Sequence, residues 1–179
     1  NYSNNFSPSI NVLILDGTDE NGDSYNYINN FGKADSLCSD IINLDSYQIN
    51  DKLYLSFYWN YNVNGEFPDY EDSIKLEFYN KNHKWKTVWY KNGGSNNFPG
   101  NNFKYEIIQI KEEYLHDKFM FKFYNLGNTE GPFDSWALDY IYLNKNRNIN
   151  DSTILDRAIT YKPKNIFKKY NSIPIKHFS

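Results

Sequence analysis

A carboxylate stands inside the strongest strand-length run of this chain. In GPFDSWALDYIYL, Gly131 to Leu143, a two-residue period places Trp136, Leu138, Tyr140 and Tyr142 on one side and Ala137, Asp139, Ile141 and Leu143 on the other. Both sides are largely apolar, as in a central strand covered on both faces. Asp139 must then be satisfied by backbone N–H groups, bind a cation, or act as a catalytic acid, because an isolated buried charge is costly. Two acidic loops could supply partners for a cation. GTDENGDSY carries Asp16, Asp19, Glu20 and Asp23 among glycines, and YNVNGEFPDYED carries Glu66, Asp69, Glu71 and Asp72 around Gly65 and Pro68. The expected ligand set is Asp139 with Asp16 and Asp19 from the first loop, or with Asp69 and Asp72 from the second. An oxygen-only set suits calcium, and the ligand spacing of an EF-hand is missing from the first loop, which also reads well as a plain turn.

Other chemistry finds less material. Cys38 is the single cysteine and is expected to be buried; His83, His116 and His177 are scattered, so no Cys/His metal spacing exists. Glycoside hydrolysis needs two carboxylates facing across a groove. Glu77 is the one strand-borne glutamate beside an aromatic, and it is expected to face solvent. No nucleophile–base arrangement and no Gly-rich phosphate loop is visible. Recognition has better support, since 17 Tyr, 13 Phe and 4 Trp exceed what a core of this size obviously needs. Tyr58, Tyr61, Tyr70, Tyr90 and Phe98 lie on or beside loops. Of these, Tyr61, Tyr70, Tyr90 and Phe98 are the candidates to stack on a sugar or anchor a protein partner.

The elements that must position these groups are strands. The chain has 179 residues, enough for one domain with an appendage, and its aromatic content favours pleated surfaces. A net charge of −3 leaves no basic footprint for nucleic acid. No apolar run reaches bilayer length, and the opening NYSNNFSPSI lacks the pattern of a signal peptide. After a short run, NVLILD, the stretch Lys33 to Leu44 reads as one strand with an irregularity near Ser39 and with Leu37 and Ile41 buried. Leu53, Leu55, Phe57 and Trp59 alternate with Tyr54, Ser56 and Tyr58. Ile74, Leu76 and Phe78 alternate with Lys75, Glu77 and Tyr79, and the NKNHK turn leads into WKTVWY as a hairpin. KNGGSNNFPGNN is a long Gly/Asn/Pro loop. Phe103 to Ile110 and Lys118 to Asn125 follow, the latter with Phe119, Phe121 and Phe123 on one face. About eight strands joined by polar turns predict an all-β fold, a two-sheet antiparallel β-sandwich over residues 1–148. Residues 149–179 form a mostly irregular basic extension or linker.

As an ordered set, KADSLCSDIINL, KLYLSFYWN, EFPDYEDSIKLEF, WKTVWY, KFMFKFYN and GPFDSWALDYIYL resemble a jelly-roll domain of large exported Bacteroidota proteins associated with type IX secretion. The likeness spans roughly Val12 to Phe178 and takes in the ending KNIFKKYNSIPIKHF. More remotely, SWALDYI is similar to the closing strand of MAM and concanavalin A-like jelly rolls, where the aspartate can join a cation site; that role would fall on Asp139. Tyr140 stands where a second Asp is usual, and the MAM cysteines are missing. The resemblance implies an exported, non-catalytic module at the cell surface, binding a glycan or a protein of the outer envelope. The alternatives are an accessory or cargo component of the secretion and gliding machinery, and a glycan-active hydrolase on the same sandwich.

Overall fold

The alternating run after Lys52 forms the central strand of one of two sheets. In this computed structural model, which describes residues 7–9, 11–25, 30–62 and 65–152, the strands among the described residues are β1 (Leu13–Leu15), β2 (Phe31–Cys38), β3 (Tyr54–Tyr61), β4 (Ser73–Tyr79), β5 (Trp85–Asn92), β6 (Lys104–Gln109), β7 (Phe121–Asn128) and β8 (Trp136–Asn144). They form two four-stranded antiparallel sheets, in the orders β1-β8-β3-β6 and β2-β7-β4-β5. This is the expected β-sandwich, and the strand order is that of a jelly roll. Each strand is followed in sequence by one in the other sheet, except in the β4–β5 hairpin, and β8 and β7 return to pair with β3 and β2.

Aromatic side chains join the sheets. Phe57 on β3 meets Trp89 on β5 edge-on at 4.9 Å and Phe123 on β7 at 4.8 Å. Phe78 on β4 meets Phe119 at 5.3 Å and Tyr114 at 5.2 Å. Such pairs add about 0.5–1.5 kcal/mol each beyond the apolar area they bury. Leu55, Phe57, Ile74, Leu76, Phe78, Phe119 and Phe123 are all fully buried, as their alternation predicts.

The faces of β8 differ from the expected ones. Trp136 and Leu138 belong to the core, but so do Ile141 and Leu143, which pack against it from the opposite set. The reason is a bulge. Ser56 pairs with Tyr142 and Tyr58 with Asp139, so β8 carries one extra residue there, and Tyr140 takes a left-handed φ of 50°. Beyond it, Tyr140 and Tyr142 turn away from the core.

Three smaller expectations are also corrected. Ile41 is 61% exposed, and Ile42 turns in beside it to bridge Phe119. Cys38 is exposed at the end of β2, an edge strand. Glu77 is not solvated; it pairs with Lys122 at 2.9 Å and accepts from the Tyr124 hydroxyl at 3.2 Å.

Arg147, only 4% exposed, closes one end of the sandwich. Its guanidinium donates to Ser56 Oγ at 2.9 Å, Tyr142 O at 3.1 Å and the Tyr105 hydroxyl at 2.9 Å, and pairs with Asp151 at 2.8 Å. Tyr105 in turn donates to Asp151 O at 2.6 Å, so the chain stays tied to the sandwich slightly past the boundary expected at 148. From residue 153 the basic extension lies outside the described residues.

Candidate functional site

The other end of β3 leads into the second acidic loop. Pro68 and Gly65 interrupt any continuing strand, and the loop closes on itself: Asp72 N donates to Asp69 O at 3.1 Å, while the Asp72 carboxylate accepts from Asp69 N. The loop is seated on the end of β5, where Gly93 N donates to Asp72 O at 2.9 Å and Gly94 N to Pro68 O at 2.7 Å. A side chain at Gly93 would overlap Asp69 O and the Pro68 ring, so glycine is required for that approach.

The β7–β8 loop approaches from the neighbouring side. Ser135 N donates to Glu66 O at 3.1 Å and Asn62 N to Ser135 O at 2.9 Å, which link the two loops through their backbones. Asp134, with a left-handed φ of 52°, accepts from Asn128 N at 2.7 Å. Aspartate tolerates that conformation better than most residues.

These loops bring Asp69, Asp72 and Asp134 together, with one carboxylate oxygen from each within 4.8 Å of the others. Asp72 and Asp134 are 3% and 6% exposed, while Asp69 is open to solvent. Gly127 lies beneath the pair; a Cβ there would stand 3.1 Å from Asp134 Cβ and 3.4 Å from Asp72 Oδ1. Glu66 and Glu71 join the three in lining a cleft of about 240 Å³ in which no Lys, Arg or His takes part. None of the ion pairs among the described residues reaches these carboxylates. Burial, and then the facing charge of Asp134, push the Asp72 carboxyl up to about 7. Such a cluster could hold a metal ion through oxygen ligands, or share a proton when none is bound.

Of the ligands expected from sequence, Asp69 and Asp72 lie in this group, and Asp139, Asp16 and Asp19 do not. Asp139, 6% exposed, accepts from Ser9 N at 2.8 Å and from Ser9 Oγ at 2.6 Å, so the hydrogen-bonded alternative describes it. Asp16 accepts from Thr18 N at 2.9 Å and Thr18 Oγ1 at 2.7 Å; Asp19 accepts from Asn21 N at 2.8 Å and Asp23 N at 3.0 Å. Both are turn residues. They line a separate acidic cleft with Glu20 and Asp35, where burial raises the Asp35 carboxyl despite bonds from Asp16 N and the Tyr25 hydroxyl. Asp134 was not among the predicted ligands. Its signal was its place between Gly131 and the last strand, where a loop carboxylate must turn toward one of its neighbours.

The aromatic candidates divide. Tyr61 is not a surface residue: it is fully buried, its hydroxyl donates toward Gly94 O at 3.2 Å and Asn92 O at 3.3 Å, and its ring meets Trp136 at 4.9 Å. Phe98 is half-buried, stacked on Phe67 at 4.7 Å. Tyr70 and Tyr90 are exposed, at 73% and 59%. Tyr58 is half-buried against Tyr105 at 5.0 Å.

No helix among the described residues is long and apolar enough to cross a membrane. No protein-family model matches the chain, and no curated protein matches it. Among solved structures it is similar to Xylanase10C from Cellvibrio japonicus, solved in complex with xylopentaose, with a TM-score of 0.36 and 8% identity. That match covers 82% of this chain and 29% of the xylanase chain.

Proposed function

We propose that the chain is a non-catalytic recognition module of an exported bacterial cell-surface protein. Calcium held by Asp69, Asp72 and Asp134 would fix the loop through which it meets a glycan or protein partner. The observation that carries this reading is the position of Tyr70. The most exposed large hydrophobic residue described sits between two of the three converging carboxylates. A cation there orders the tyrosine before any partner arrives, which removes part of the ordering cost of binding. Calcium fits better than magnesium, because it takes six to eight oxygens at flexible geometry and Glu66, Glu71 and Asn128 line the same cleft.

The same geometry favours a cation over hydrolysis. Three carboxylates converge on one small cleft, as the ligands of a single ion do, whereas a glycosidase sets two carboxyl groups on either side of a substrate groove. Export and surface location rest on the jelly-roll resemblance. Thermal unfolding of the folded chain with calcium and then with chelator tests the reading. A melting temperature that rises with calcium in the wild type but not in Asp134→Asn supports it; an identical temperature in both conditions defeats it.

A further inference from the structure

The two sheets end on the same side in β5 and β6, and a second cleft opens between these edge strands. Its volume of about 620 Å³ falls in the range of small-molecule sites, roughly 300–1,000 Å³. Trp59, Tyr90 and Tyr105 supply rings, and Lys91, Lys104 and Glu106 supply charge. Glu106 is held at one oxygen only: its Oε1 accepts from the Trp59 indole N–H at 3.2 Å and lies 3.5 Å from Lys91 Nζ. The other oxygen makes no bond among the described residues, and Lys104 makes no ion pair among them. Lys91 is kept in place by the rings of Trp59 at 5.7 Å and Trp89 at 6.0 Å.

We infer that this cleft is a saccharide-binding site. A sugar ring offers an apolar C–H face to an aromatic side chain and a rim of hydroxyls that both donate and accept. The cleft matches both needs. Tyr90 is an exposed ring at its edge, Glu106 presents a fixed acceptor, and Lys91, Lys104 and the Asn92 amide present donors, beside an Asn97 amide that already donates to Gly93 O at 2.7 Å. No aliphatic side chain other than Pro99 lines it, which argues against a protein hot spot, whose anchors fill apolar pockets. The inference goes beyond the recognition reading: it adds a saccharide site separate from the Tyr70 loop and independent of the cation.

The test is binding of the full chain to immobilised neutral gluco-, manno- and xylo-oligosaccharides and to uronic-acid oligosaccharides, followed by calorimetry with the strongest binder. Tyr90→Ala and Glu106→Gln should each weaken that binding tenfold or more, and Ile41→Ala, at an exposed position outside the cleft, should change it less than twofold. All three sites are at or near the surface, and an unchanged melting temperature shows that each variant is folded. Binding indifferent to Tyr90→Ala and Glu106→Gln would overturn the assignment of the cleft, and so would no binding to any saccharide. Neither result touches the calcium shift, so failure here is distinguishable from failure of the cation-ordered module.

Discussion

Asp72 and Asp134 face each other from two different loops, each more than nine-tenths buried and neither opposed by a basic side chain. Two carboxylates in that position repel each other unless a proton or a cation stands between them.

Calcium should stabilise the chain by mass action. At a hundred times its dissociation constant the gain is about 2.7 kcal/mol, worth roughly 5–10 °C in a domain of this size. Asp134→Asn should abolish the rise. Asp139→Asn should leave it intact, since Asp139 is engaged by Ser9. Differential scanning calorimetry of the three proteins decides the matter, and a shift lost in Asp139→Asn alone would move the cation to the position first read from the sequence.

Without metal, pH should act in the opposite direction to the usual carboxylate. The Asp72 carboxyl is raised from 3.8 to about 7 on folding, so the folded state binds its proton more tightly than the unfolded one. Its contribution is fully present below about pH 4 and is lost as pH rises through about 7. In chelator, Asp72→Asn should therefore flatten the fall in melting temperature between pH 5 and pH 8 and exceed the wild type at pH 8. Added calcium should lose its effect as the pH drops below 7, because proton and cation compete for the same oxygens.

Gly93→Ala should unseat the acidic loop. The new methyl group overlaps Asp69 O and the Pro68 ring, and overpacking of this kind costs about 1–3 kcal/mol. Calcium affinity should fall together with stability, as measured by titration calorimetry; a variant that loses stability but binds calcium normally would separate the loop from the site.

Tyr61 should behave as a core residue. Tyr61→Phe removes a hydroxyl that bonds Gly94 O or Asn92 O, at about 1 kcal/mol. Tyr61→Ala should cost about 3–5 kcal/mol, as truncation of a buried aromatic does. Neither loss should depend on whether a saccharide is present.

Arg147→Met should be destabilising by about 3 kcal/mol or more, because it leaves the Asp151 carboxylate without its ion pair and removes the donors to Ser56 Oγ, Tyr142 O and the Tyr105 hydroxyl. Urea unfolding measures it.

Much of the framework was legible from alternation alone. β3 and β4 turn to the core the residues their period names, Leu55, Phe57, Trp59, Ile74, Leu76 and Phe78, while their other faces are covered as well, with Ser56 buried under Arg147 and Glu77 paired with Lys122. The site was less legible, for physical reasons that can be named. Asp139 looked like a lone buried charge because Ser9, 130 positions away in sequence, could not be seen to cover it. Asp134 looked like one more polar loop residue because its partner, Asp72, arrives from the distant β3–β4 connection. Tyr61 looked exposed because it borders a loop, yet that loop folds back over it and buries the ring. Periodicity reports which way a strand faces and says nothing of what a distant loop brings over it.

The single extra residue at Tyr140 has a consequence for how this strand can change. It sets the parity of everything after it: Ile141 and Leu143 reach the core only because one position has been counted twice. Straightening the bulge while keeping every residue would leave composition, length and hydrophobicity untouched, yet it would present both aliphatic side chains to the outer face and swing Tyr142 inward. Deleting Tyr140, by contrast, would erase the bulge and leave Ile141 and Leu143 facing the core. Insertions and deletions are tolerated in the turns of such a chain. Here, in the middle of a paired strand, whether that one residue bulges or pairs decides which side of the second half of β8 is inside.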